Sequence, residues 1–260
     1  MVRRPLGNHH DGPDTLLVTS ETEQTEPVAA ETERLRELIA SARVVLWDFD
    51  GPICRLFAGH SAERVARELV EWLAAGGLGG LLTVAEREHP DPHVVLRAVN
   101  RRHPRSDLVA ELEERLTKEE LRAVPTAMPT AYADPLIRTW TAVGARLAVA
   151  TNNSPRTVRT YLADRDLISC FAPHIYGRTQ NLHLLKPDPH CLNRALNAMG
   201  AAPSAALMIG DSATDFFAAQ KAGVPFLGYA RNTRKAGLLR EAGVGDVVES
   251  FRPLLSLLRR

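Results

Sequence analysis

Val44-Val45-Leu46-Trp47-Asp48-Phe49-Asp50-Gly51 decides the fold. An unbroken apolar run ends on two carboxylates separated by one residue. Such a run reads as a strand buried on both faces, as in the middle of a parallel sheet. Asp48 and Asp50 then stand at its carboxyl end, where like charges require a cation or a partner. The pattern recurs in Leu207-Met208-Ile209-Gly210-Asp211, with Asp215 shortly after. Two strands that each deliver acidic groups imply a divalent-cation site, and one that handles phosphate.

Outward from the first strand, the chain changes character. Residues 1–30 are rich in Gly, Pro, Thr and Glu and read as a disordered tail. Leu35, Leu38 and Ile39 fall at helical spacing and predict a short helix before the strand. Residues 54–130 carry helical stripes: Val65, Leu69, Trp72 and Leu73; then Val94, Val95, Ala98 and Val99; then Leu108, Leu112 and Leu116. This predicts an all-helical insert. Beyond it, strands are expected at 146–150, 174–176, 206–209, 225–229 and 247–248, with helices between them. Ser154-Pro155 is a good helix start. The fold class is therefore α/β: a three-layer parallel-sheet, Rossmann-like core over 31–53 and 131–260, interrupted by a helical domain over 54–130. Ligands in such folds sit at the carboxyl ends of the strands.

Composition narrows the function. The 260 residues carry a net charge of +1, which gives no support for a nucleic-acid or membrane-surface partner. The three cysteines, Cys54, Cys170 and Cys191, lack the spacing of a disulfide framework or a zinc site and fit a reducing cytoplasm. The first residues lack the apolar segment of a secretory signal, and no apolar stretch is long enough to span a bilayer. Oligomeric state is not legible.

Polar groups of distinct chemistry stand at the predicted strand ends: Asp48 and Asp50; Thr151; Lys186, in Lys186-Pro187-Asp188-Pro189; and Asp211 with Asp215. Phosphoryl transfer needs a nucleophile, neutralisation of the phosphate oxygens and a proton for the leaving group. A carboxylate can attack phosphorus, a lysine and a hydroxyl can hold its oxygens, and a second carboxylate can serve as acid and base. Mg2+ suits a site of few carboxylates plus waters. Each group also has a purely local reading: Asp48 and Asp50 as turn caps, Ser212-x-x-Asp215 as a capping box, Lys186 as a solvated side chain. Their common placement at strand ends favours the joint reading.

The residues resemble the motifs of the haloacid dehalogenase superfamily of aspartate-nucleophile phosphohydrolases, in its helical-cap, phosphoglycolate phosphatase-like subgroup. Asp48-Phe49-Asp50-Gly51 looks like the first motif, Thr151-Asn152-Asn153 the second, Lys186-Pro187-Asp188-Pro189 the third and Gly210-Asp211 with Asp215 the fourth. The resemblance implies that Asp48 is the nucleophile that becomes an aspartyl-phosphate. It implies that Asp50 is the acid and base and lends its backbone carbonyl to Mg2+. Thr151, Asn152 and Lys186 would bind the phosphoryl group. Asp48, Asp50 and Asp211 would hold the metal, with Asp215 in support. The insert would be the cap that closes over the site. Arg55, His60 and Arg101 are the candidate contacts to the leaving group.

Pro52 departs from the family pattern, which has Thr or Val after the motif glycine; altered efficiency is expected rather than lost chemistry. Asp50 favours a phosphate ester over a halo-acid, because dehalogenases of the family lack that aspartate. Lys118, among glutamates, reads as an ion-pair residue rather than a Schiff-base lysine. His60 stands where sugar phosphomutases often carry a histidine, as do many phosphatases. The expectation is a Mg2+-dependent phosphatase of a small phosphorylated metabolite. A sugar phosphomutase of the same fold, or a non-catalytic protein that keeps the fold for binding or regulation, are the alternatives.

Overall fold

The computed structural model describes residues 25–259 of the chain. Residues 1–24 of the expected tail lie outside the described residues, and a helix, Thr25–Ser41, begins inside the rest of it. It leads to a six-stranded parallel sheet. The strands are β1 (Val44–Trp47), β4 (Arg146–Ala150), β5 (Ile175–Tyr176), β6 (Ala206–Gly210), β7 (Phe226–Tyr229) and β8 (Val247–Val248). Their order is β5-β4-β1-β6-β7-β8, so the diagnostic strand lies at the centre.

Alternation along the strands divides two cores. Val45, Trp47, Leu147, Val149, Leu207 and Ile209 face one layer of helices. Val44, Leu46, Ala148, Ala150, Ala206 and Met208 face the other. Both sets are buried, which is why the strands read as continuous apolar runs. On the first face, Trp47 meets Trp140 of the helix Ala133–Ala142 edge-on, with ring centroids 5.7 Å apart. The second face is covered by His190–Met199 and Ala213–Ala222, whose small Ala195, Ala218 and Ala219 let the helices approach closely.

The register aligns the strand ends. Trp47 pairs with Val149 on one side and Ile209 on the other, and the Asp48 amide donates to the Ile209 carbonyl at 2.8 Å. Residues following β1, β4 and β6 therefore emerge at one level of the sheet.

The insert holds Ala62–Ala75, Val84–Arg87, Pro92–Arg102 and Asp107–Ala123. Ser61, Thr83, Asp91 and Ser106 cap these helices through their side chains, as local sequence dictates. The expectation of an all-helical insert needs one correction. Its two ends pair as a short antiparallel ribbon, β2 (Cys54–Arg55) with β3 (Met128–Pro129). Two-residue strands leave too little alternation to be read from sequence. The predicted stripes meet in a separate apolar cluster that includes Val65, Leu69, Leu73, Val95, Leu112 and Leu116. Leu182 and Leu185, from the loop before Lys186, belong to the same cluster. The insert is thus packed against the segment that carries the lysine. Among the described residues, no helix is long and apolar enough to cross a membrane.

Candidate active site

Asp48 follows β1, Thr151 follows β4 and Asp211 follows β6, so the strand ends collect them. Lys186 arrives from a loop and is almost completely buried. Its ammonium donates to Asp48 Oδ1 at 2.7 Å and to the Ala150 carbonyl at 2.9 Å, and lies 2.5 Å from Asp215 Oδ1. The solvated-lysine reading is therefore excluded. Burial by itself would lower the lysine pKa, but the Asp215 and Asp48 carboxylates outweigh it and hold the ammonium charged.

Asp215 does two jobs. Its Oδ2 accepts from the Asp211 amide at 3.1 Å and the Ser212 amide at 3.0 Å, and closes a capping box with Ser212. Its Oδ1 faces Lys186. One side chain thus both closes the capping box and faces the buried lysine. Asp48, Asp211 and Asp215 each offer an oxygen within 4.8 Å of the others, a spacing that can hold a metal ion. Burial raises Asp48, and Asp215 adds to the rise. Burial likewise pushes Asp211 up to about 7 against the pull of Lys235.

The Asp50 carboxylate stands outside this trio. Its Oδ1 accepts from the Leu56 amide at 2.9 Å, and the residue lines the neighbouring cleft. Burial pushes it up to about 6, so this carboxyl exchanges its proton near neutrality. Gly51 turns the chain between Asp50 and the insert with φ +122°, and a Cβ there would fall 2.3 Å from Asp211 Cγ. The loop needs no amide at Pro52. Ile53 and Cys54 donate to the Phe49 carbonyl, Gly51 donates to the Cys54 carbonyl, and Thr130 Oγ1 donates to the Gly51 carbonyl at 2.6 Å. Thr130, returning from the insert, supplies a hydroxyl to this loop.

Thr151 is buried; its hydroxyl donates to Asn153 Oδ1 at 3.1 Å and accepts from the Asn153 amide at 3.2 Å. Asn152 Oδ1 accepts from the Lys186 amide at 2.8 Å, and its Nδ2 donates to the Lys186 carbonyl at 3.3 Å. The carboxamide thus holds the lysine backbone from both its ends. Two of the leaving-group candidates meet glutamates. His60 Nε2 lies 3.0 Å from Glu119 Oε2, and Arg101 donates to Glu86 at 2.6 Å, both within the insert. Neither lines the cleft beside Asp50. Arg55 does line it.

Several site-building residues escaped the sequence reading. Lys235, at the start of the helix Thr233–Glu241, donates to Asp211 Oδ2 and to its carbonyl. Arg178, just after β5, is buried and reaches Glu120 at 2.7 Å and Glu113 at 2.9 Å. Glu120, on the insert helix, also accepts from the Ser154 amide at 2.9 Å. Its pKa would rise on burial, but Arg178 holds it below the usual carboxylate range. Arg97 donates to the Lys186 carbonyl, and His93 Nε2 lies 3.1 Å from the Asn152 carbonyl. The insert therefore grips the loops that carry Thr151 and Lys186. Both Arg178 and Lys235 follow strand ends, which is the signal that would have found them.

A cleft of about 910 Å³ opens beside the acidic trio, lined by Asp50, Gly51, Asp211 and Lys235 on the core and by Arg55, Phe57 and Met128 on and near the ribbon. Residues 42–223 match the family model described as haloacid dehalogenase-like hydrolase. The chain is 38% identical over 92 residues to the phosphoglycolate phosphatase of Rhodospirillum rubrum, covering 34% of this chain and 37% of that one. It is 33% identical over 119 residues to the phosphoglycolate phosphatase of Salmonella paratyphi A, covering 45% and 46%. The matched region thus spans less than half the length of these curated relatives. Among solved structures, a predicted phosphatase from Clostridium acetobutylicum superposes with a TM-score of 0.61 at 18% identity, over 82% of this chain and 96% of that one. A predicted phosphoglycolate phosphatase from Haemophilus somnus 129pt gives 0.61 at 15% identity, over 84% and 98%. At these identities the two structures speak for the fold.

Proposed function

Because the chain belongs to the haloacid dehalogenase-like hydrolases, we infer that it is a phosphatase that hydrolyses small phosphomonoesters through an aspartyl-phosphate. The observation that carries this reading is the buried Lys186 ammonium, 2.7 Å from Asp48 in the same cluster as Asp211 and Asp215. A cation set beside a buried carboxylate at a strand end opposes the rise that burial imposes on it and offers a positive charge to an incoming phosphate.

In the proposed reaction, an Asp48 oxygen attacks phosphorus and the phosphorus–ester oxygen bond breaks. Asp50 gives its proton to the departing oxygen. Water then attacks the acyl-phosphate, Asp50 takes the proton of that water, and inorganic phosphate leaves Asp48 free again. Lys186 and the Thr151 hydroxyl hold the phosphoryl oxygens, and Asn152 fixes the lysine backbone. The insert, packed over the Lys186 loop, keeps bulk water from the intermediate.

The donor set fits a hard divalent cation such as Mg2+: three carboxylates whose oxygens lie within 4.8 Å of one another, two of them pushed upward by burial. Asp48 and Asp211 would hold it, with the Asp50 carbonyl, and Asp215 would orient the Asp211 loop. When bound, the cation neutralises phosphate charge and orients the ester. The free cysteines suit a reducing, cytoplasmic setting.

A panel of phosphomonoesters with purified protein, with and without Mg2+, tests the reading. Release of inorganic phosphate that depends on Mg2+ is expected. A flat panel favours a non-catalytic protein of the same fold, and isomerised ester without phosphate release favours a mutase.

A further inference from the structure

We propose that Lys235 is an exchangeable counter-ion of the acidic cluster: its ammonium holds Asp211 until a divalent cation takes that carboxylate, and is then released into the cleft. This deepens the phosphatase reading and rests on it for the identity of the cation site.

Two lysines reach the cluster, and their settings differ. Lys186 is buried, lies between Asp48 and Asp215, and is fixed by the Ala150 carbonyl as well. It is a permanent part of the cluster. Lys235 stands in the first turn of the helix Thr233–Glu241, with its amide capped by Asn232 Oδ1 at 2.9 Å. Its ammonium donates to Asp211 Oδ2 and, at 3.1 Å, to the Asp211 carbonyl. The side chain is 32% exposed and lines the cleft together with Asp50. Lys235 can therefore leave its partner without disturbing the core, and Lys186 cannot.

Asp211 is not free to follow the lysine. Its amide donates to Asp215 Oδ2 at 3.1 Å, and Gly51 lies close against its carboxylate. That carboxylate stays where Asp48 and Asp215 approach it within 4.8 Å, so an ammonium and a metal ion contend for it in place. Charge decides the contest. Three carboxylates and the buried ammonium of Lys186 leave two negative charges, which one divalent cation balances. A second ammonium on Asp211 is then surplus, and the cation repels it at short range. The flexible stem of a lysine lets the ammonium swing away from Asp211 into the cleft. There it stands on the side of Asp50, the proposed proton donor, and adds positive charge where the leaving oxygen departs. Because each binding event must first break the ion pair, Lys235 sets the affinity of the cation.

Calorimetric titration with Mg2+ tests this on the unaltered protein, Lys235→Met and Lys235→Arg, at about pH 9, where protons compete little for Asp211. Lys235→Met is expected to bind Mg2+ about ten- to hundredfold more tightly. Lys235→Arg, which keeps the charge, should return towards the weaker affinity. A second measurement needs no variant: acetylation by acetic anhydride, read lysine by lysine by mass spectrometry. Mg2+ should raise the labelling of Lys235 relative to the exposed Lys118, because the released amine is open to the reagent. Unchanged or weaker Mg2+ binding by Lys235→Met, no Mg2+ binding by either protein, or labelling of Lys235 that Mg2+ leaves unaltered overturns the exchange. Mg2+-dependent phosphate release with unaltered affinity in Lys235→Met would refute the exchange and leave the phosphatase reading standing. Tighter binding by Lys235→Met without turnover of any ester would do the reverse.

Discussion

The ammonium of Lys186 lies 2.7 Å from Asp48 Oδ1, with neither side chain open to bulk water. The two residues are far apart in sequence and come from different elements. The same ammonium is 2.5 Å from Asp215, so one cation balances two buried acids.

Removing that cation takes the lysine's positive charge from two buried carboxylates. Lys186→Met should lower unfolding stability by about 3–5 kcal/mol, the usual cost of breaking a buried pair from one side. Urea denaturation reads the change, and an unaltered midpoint would show that the pair is not what the geometry indicates. Mg2+ should recover part of the loss, because it replaces the missing positive charge.

Gly51 lies directly against Asp211 of the proposed metal site. Gly51→Ala places a methyl group where Asp211 now stands, in a backbone conformation that L side chains rarely adopt. The variant should bind Mg2+ at least about tenfold more weakly by calorimetry. Unchanged affinity would mean that Asp211 is not a ligand.

Glu120 and Arg178 tie the insert to the core with no exposed side-chain surface on either. The Glu120 carboxyl is held below its ordinary value, so its contribution to stability is complete above the unfolded pKa of about 4.3. That contribution fades as pH falls through the lower folded value. The stability gap between the unaltered protein and Glu120→Gln should therefore be widest near neutrality and shrink as the solution is acidified. A gap that grows towards acid pH would reverse the assignment.

Pro52 occupies a turn whose hydrogen bonds are supplied by Gly51, Ile53, Cys54 and Thr130. Pro52→Thr should therefore change turnover by less than about tenfold, below 1.4 kcal/mol in barrier. Loss of many orders of magnitude would show that the proline itself shapes the loop.

What was legible in the sequence followed from the parallel sheet. A buried strand has one polar end that ligands reach, so Asp48, Thr151 and Asp211 could be placed together before any coordinates. Lys186 was legible as a member of the set, but its pairing with Asp215 was hidden, because contact between a loop and the first turn of the helix Ala213–Ala222 leaves no periodic trace. Arg178 and Glu120 were missed for a similar reason: a buried ion pair between insert and core looks, in each local segment, like an ordinary surface charge. The contacts of Arg101 with Glu86 and of His60 with Glu119 were hidden too, because they join residues of different insert segments. The contact of the Asn152 carboxamide with the Lys186 backbone was hidden for the same reason, since the two lie on separate loops.

The central claim is that Asp48 is the phosphate-accepting nucleophile. Phosphate release measured with and without Mg2+, on the ester that the unaltered protein hydrolyses fastest, tests it most directly when repeated with Asp48→Asn. The account predicts Mg2+-dependent release from the unaltered protein and none above background from the variant. Undiminished release from Asp48→Asn would contradict it.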